Sequence, residues 1–174
     1  VDIAGEMGAR AYISHPHTDM KPYTDDSGST VYHLDEEAGM RGLADALEFC
    51  DEHEGAHDDR VRTMLFPYKF DACSEGLLRE TKRAALEKGI PIHMHTSQYL
   101  PEYYESLRRY GRTPIHFLHD IGFLGPELTC GHSVWVTDED IETMAATGTN
   151  VCHNASSNLR LQSGIAPVNR MLQE

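Results

Sequence analysis

The chain of 174 residues is long enough for one ordinary domain with a buried core, and its 40% apolar and 25% charged residues are those of a globular protein. A net charge of −13 repels phosphate backbones, so no nucleic-acid partner is expected. No apolar run reaches the length of a membrane span, so no membrane partner is expected, and neither is a signal segment, although the first residue is Val1 rather than Met.

In chain order, the first β-rich apolar run is ARAYIS (9–14). HPH follows at 15–17 with the spacing of a metal pair. Pro16 lacks the N–H that a strand ladder uses, which puts His15 and His17 on a loop leaving the strand, outside any ligand set. TDDSGST (24–30) reads as a polar loop. Residues 19–59 hold thirteen Asp or Glu beside only Lys21 and Arg41, a solvated loop and helix face without EF-hand spacing. RGLADALEFCDEH (41–53) carries Leu43, Leu47 and Cys50 on one helical face. VRTMLF (61–66) is the second run, with Tyr68 and Lys69 beyond its end.

SEGLLRETKRAALEKG (74–89) predicts a helix that opens at a serine cap and closes at Gly89. IPIHMH (90–95) is the third run. Its His93 and His95 share a side, one at the tip and the other a layer deeper, more than about 6 Å away. Residues 104–127 read as a helix, a break near Gly111 and a short apolar helical segment. ELTCGHSVWV (127–136) is the fourth run; it contains His132 and a tryptophan, Trp135, expected in the core. TDEDIETMAATG (137–148) has Thr137 as cap, Asp140 three places on and Gly148 as terminator, with Ile141, Met144 and Ala145 as its apolar face. TNVCH (149–153) is the fifth run and ends at His153. The four cysteines form no C-x-x-C pair, Cys130 and Cys152 are expected buried, and their usage fits a reducing cytoplasm.

Strand followed by helix, repeated, predicts an α/β fold with parallel strands and crossover helices. No glycine-rich phosphate fingerprint follows any strand, which counts against dinucleotide binding. A small flavodoxin-like protein with incidental histidines stays open at this point. Histidines gather at or near the run ends, where parallel α/β folds collect their reacting groups, and neutral imidazole is a common ligand for zinc and iron. Read on its own, His132 can equally be a core histidine, and Asn158 a turn residue.

The run CGHSVWVTDEDIETMAATGTNVCHNASSNLRLQSGIAPV (130–168) closely resembles the amidohydrolase superfamily, in the branch of nucleobase deaminases and triazine hydrolases. FPYKFDACSEGLLRETKRAALEKGIPIHMHTSQ (66–98) resembles the preceding units of that branch. The resemblance implies a partial (β/α)8 TIM barrel, about strands 3 to 7 with their helices. On that reading residues 1–174 are the central part of a metal-dependent hydrolase barrel domain, without strands 1, 2 and 8 or any flanking β-domain. It implies His95 as metal ligand and His132 as the sixth-strand histidine that polarises substrate and approaches the metal. It also implies that Ser157 and Asn158, in a loop after the seventh strand, and His153 line the substrate pocket. Where deaminases of the branch carry a proton-shuttling Glu, this chain has Gln98, which can hydrogen-bond substrate but cannot move a proton near neutral pH.

The implied function is hydrolysis of C–N (non-peptide) or C–Cl bonds in a small cyclic nitrogen compound, by metal-bound hydroxide. One divalent metal ion is implied, zinc first and iron second, in a cytoplasmic enzyme that is a homo-oligomer when complete. The alternative is a non-catalytic binding fragment or part of a split assembly. The chain alone is expected to be inactive.

Overall fold

The computed structural model describes all 174 residues as an α/β chain. It forms two compact units, Val1–Tyr68 with Ala72–Ile92, and Lys69–Asp71 with His93–Glu174. In the first unit a short helix α1 (Asp2–Glu6) leads into β1 (Ala11–Ile13), β2 (Pro16–His17), β3 (Met20–Thr24) and β4 (Thr30–Leu34). Then come α2 (Glu36–His53), a kinked turn α3 (Ala56–Asp59), β5 (Val61–Thr63), β6 (Phe66–Pro67) and α4 (Glu75–Lys88). Strands β1 and β5 pair in parallel, as do β2 and β6, and Leu65 bridges Ile92 in parallel. Helix α2 lies against β2, β5 and α4. The core of this unit includes Leu43, Cys50, Val61, Leu65 and Leu78.

The second unit takes all of β7 (Ile92–Thr96) except its first residue, then α5 (Leu100–Tyr110), α6 (Pro114–Asp120), β8 (Leu128–His132), α7 (Asp138–Thr147), β9 (Asn150–Cys152), α8 (Ala155–Arg160) and α9 (Val168–Met171). The strand order is β7-β8-β9, with β8 and β9 parallel. The Thr137 side chain accepts from Asp140 N–H and the Asp140 carboxylate accepts from Thr137 N–H, a closed capping box on α7. The same buried carboxylate accepts from Thr113 Oγ1 at 2.5 Å, which ties the start of α6 to the start of α7. Between α5 and α6, Tyr110 and Phe117 stack with ring centroids 3.7 Å apart, and Phe70 meets both edge-on.

All five β-runs form strands, and the helices over 74–89 and 137–148 sit between their expected caps. None of the short sheets closes into a barrel. Several expectations are corrected. The TDDSGST stretch is a polar turn as expected, but it joins two strands that were not, the antiparallel hairpin of β3 and β4, and Asp25 Oδ1 accepts there from the N–H groups of Ser27 and Ser29. Helix α2 begins at Glu36, five residues earlier than its apolar face suggests, because Asp35 caps it by accepting from Ala38 N–H. Strand β8 stops at His132, so Trp135 lies beyond it and is 36% exposed, its indole N–H donating to the Ser163 carbonyl. Cys130 is buried as expected, but Cys152 is exposed at the end of β9.

HPH is corrected as well. Pro16 does belong to a strand, because the link Tyr68 N–H to His17 carbonyl (3.0 Å) uses an acceptor and makes no demand on the donor that proline lacks. His17 is a core residue, 2% exposed, with Nε2 3.0 Å from Thr81 Oγ1. Burial is the main cause that lowers its pKa from 6.5 to about 4. Between those values the unfolded chain carries a proton that the folded chain refuses. Stability is therefore full above pH 6.5 and falls as the pH drops toward about 4, by roughly 3 kcal/mol over that span. In urea denaturation across this range, His17→Asn should reduce the slope of stability against pH by about one proton.

Candidate functional site

Burial alternates along β7: Ile92, Met94 and Thr96 are buried, while His93 and His95 share the other, half-buried side with ring centroids 5.8 Å apart. Strand β8 lies beside it and brings Gly131 opposite these rings. A Cβ at position 131 would stand 3.1 Å from His93 Nε2 and 3.3 Å from His95 Nδ1, so glycine makes the space that the imidazoles fill. The next residue, His132, has a left-handed backbone (φ 75°), as does Ser133 (φ 46°). This strained end of β8 aims the buried His132 ring at His95, with His132 Nε2 3.0 Å from His95 Nδ1.

His132 Nδ1–H donates to Asn158 Oδ1 at 2.7 Å. That bond selects the tautomer and leaves the Nε2 lone pair facing His95. Burial, reinforced by His132, His93 and Lys69, lowers the His95 pKa to about 4, and burial followed by His132 lowers that of His93. Neutral imidazole is the metal-binding form. Two nitrogens on a tetrahedral zinc lie about 3.3 Å apart, given Zn–N bonds of about 2.0–2.1 Å, so the observed 3.0 Å is near that of a ligand pair. Asn158 Nδ2 is buried without a partner and adds an unused donor beside His132. The donor set suits a divalent ion but is incomplete, since no three His, Cys, Asp or Glu side chains converge as ligands.

The segment after β7 holds the two strand ends together. Thr96 carbonyl accepts from Ser133 N–H at 3.1 Å, and Ser97 carbonyl accepts from the N–H groups of Val134 and Trp135, both at 2.9 Å. Ser97 is itself left-handed (φ 53°). The fully buried Glu102 carboxylate accepts from Ser97 N–H (2.6 Å) and Gln98 N–H (3.0 Å). Alongside, Lys69 pairs with His95 through a parallel β-bridge, and its Nζ donates to Asp71 (3.2 Å) and to Tyr99 Oη (3.1 Å). Tyr99 Oη–H donates to Asp71 at 2.7 Å.

Of the sequence-predicted residues, His95, His132 and Asn158 come together. Gln98 follows the Ser97 turn and is half-buried. Ser157 and Asn158 stand on helix α8 rather than in a loop, Ser157 half-buried, and His153 is exposed after β9. Glu102 and Gly131 went unread. A glutamate at the third position of a helix, just after a proline, is a legible signal for a carboxylate that reaches back to preceding amides.

A sequence model described as the amidohydrolase family matches residues 5–174. The chain belongs to the amidohydrolase family. It is 41% identical over 139 residues to a 5'-deoxyadenosine deaminase of Methanosarcina barkeri, covering 80% of this chain and 32% of that one. It is 34% identical over 172 residues to 5-methylthioadenosine/S-adenosylhomocysteine deaminase 2 of Archaeoglobus fulgidus, covering 99% and 38%. This amidohydrolase chain thus spans about a third of the length of these curated relatives. Among solved structures, a zinc-bound adenosine deaminase from Xanthomonas campestris superposes with a TM-score of 0.80 at 22% identity, over 99% of this chain and 36% of its own. Atrazine chlorohydrolase from Arthrobacter aurescens, complexed with zinc, gives 0.82 at 22%, over 99% and 37%. At that identity the likeness shows the shared α/β fold.

Replacing Asn158 by Ala should free the His132 tautomer and leave a buried N–H unpaired, lowering stability by about 1–3 kcal/mol. The ring 15N shifts of His132 should then lose the Nδ1–H pattern, while those of His116, on another helix, stay as they are.

Proposed function

We propose that this chain is the central part of a (β/α)8 barrel in a metal-dependent hydrolase that cleaves C–N or C–Cl bonds of a small nitrogen heterocycle. An amino group on an adenine-like ring is the favoured target. The observation that carries the reading is the His95–His132 pair, two imidazole nitrogens 3.0 Å apart with one tautomer set by Asn158. The names of the deaminase relatives support the substrate class.

On this reading His95 and His132 hold one divalent ion, with zinc favoured over iron. When bound, the ion supplies Lewis acidity and lowers the pKa of water toward neutrality. The protein's own part is orientation. Asn158 keeps His132 from rotating, and an imidazole so held can stabilise charge that develops on the substrate. Gln98 offers an amide to the substrate and takes no part in proton transfer, because an amide does not titrate near neutral pH. His153 and Ser157 are proposed to line the substrate pocket beside Asn158. No helix of the chain is long and apolar enough to cross a membrane. We place the complete protein in the cytoplasm as a homo-oligomer.

The full-length protein should hold about one zinc per chain and release ammonia from 5'-deoxyadenosine or 5'-methylthioadenosine, and His95→Ala should lose both properties. Absence of metal and of turnover on aminated and chlorinated heterocycles would overturn the reading. Gln98→Glu should move the pH–rate profile by adding a titrating group beside the reaction. An unchanged profile with metal retained would place Gln98 outside the chemistry. The 174-residue chain alone should show no enzymatic turnover, since a catalytic zinc usually takes three protein ligands and two are present.

A further inference from the structure

We propose that Glu102 is a positioning residue for the two-histidine centre: its buried carboxylate fixes the turn at Ser97 and Gln98, and through that turn the spacing of His95 from His132. The inference rests on the reading of those histidines as metal ligands.

Each oxygen of the carboxylate takes one amide, Oε1 from Ser97 at 2.6 Å and Oε2 from Gln98 at 3.0 Å. Glu102 is fully buried, so water does not compete for either bond. An ordinary third-position cap accepts from the N-cap amide. Here the N-cap of α5 is Tyr99, and Glu102 reaches past it to the two residues before. The turn it grips is left-handed at a non-glycine residue, which L side chains seldom adopt unless the surroundings hold them there. The Ser97 hydroxyl does not do this, because it is buried with no partner. On the amide side of the turn the restraint comes from Glu102, while the turn's carbonyls are taken by the segment after β8.

Ser97 lies two residues after His95, and its carbonyl accepts from both Val134 and Trp135, two and three residues after His132. Thr96 carbonyl accepts from Ser133. One carboxylate therefore orders the short segment through which both histidine-bearing strand ends are joined. Burial, and then the neighbouring Asp71, push the Glu102 carboxyl up to about 8, against the pull of the two amides.

The test uses the full-length protein, with zinc affinity from competition with a chromophoric chelator and the visible ligand-field bands of the cobalt(II)-substituted form. Glu102→Gln keeps the shape but turns an NH2 toward one of the two amides. It should weaken zinc binding about tenfold or more and shift the cobalt bands. A Glu102 that merely stabilised the fold would lower the melting temperature and leave affinity and bands alone. Ser97→Thr strains the same turn with a β-branched residue at φ 53° and should have the same effect, so it decides the matter if Glu102→Gln does not fold. Either folded variant binding zinc within about twofold of wild type overturns the proposal. His95→Ala separates the two readings. If it loses zinc while Glu102→Gln keeps it, Glu102 alone is misassigned; if it binds zinc as wild type does, the ligand assignment falls and this inference with it.

Discussion

Two imidazole nitrogens 3.0 Å apart attract each other only when a proton or a cation lies between them, as when His95 Nδ1–H donates to His132 Nε2, and that bond forms only if the two rings are first brought edge to edge. The placing of the rings comes from the backbone. In this chain the placing uses a glycine that clears the space at position 131, left-handed residues at 97, 132 and 133, and three backbone hydrogen bonds that join the end of β7 and the residue after it to the segment after β8. Strain of this kind persists only where the surroundings over-determine the conformation, and here they do. Both flanking strands are packed on buried Met94, Leu128 and Cys130.

The electrostatics follow from the same packing. Burial keeps His93 and His95 neutral, and neighbouring imidazoles add to the effect, because a charged ring beside another charged ring is unfavourable in a poorly solvated place. Lys69 contributes in the same direction while its own charge is met by the buried Asp71 and by Tyr99. The result is a group of imidazoles held in a poorly solvated place, beside which no third His, Cys, Asp or Glu converges.

Much of the architecture was legible from local rules. The five strands, the two capped helices and the break at Gly111 follow from alternation, cap residues and glycine, and each is decided within a few residues of chain. The readings that failed depended on partners far along the chain. His17 is a core residue because Thr81, 64 positions on, supplies its hydrogen bond. Trp135 is partly exposed because β8 ends at His132, four residues before the apolar run does. Cys152 sits in an apolar run yet is exposed, and the run itself looks the same in either case.

By itself the sequence determined the five β-runs and the two capped helices, and its resemblance over 66–98 and 130–168 pointed to the amidohydrolase family that the match over 5–174 bears out. It also singled out His95 and His132, whose types and strand-end positions are local properties. Only the tertiary structure decided that Asn158 orients His132 from a helix, that Gly131 makes room for the rings, and that Glu102 grips the turn after His95. Side-chain hydrogen bonds between residues 26 and 37 positions apart have no imprint on periodicity or propensity; they exist only once the strands have been laid side by side.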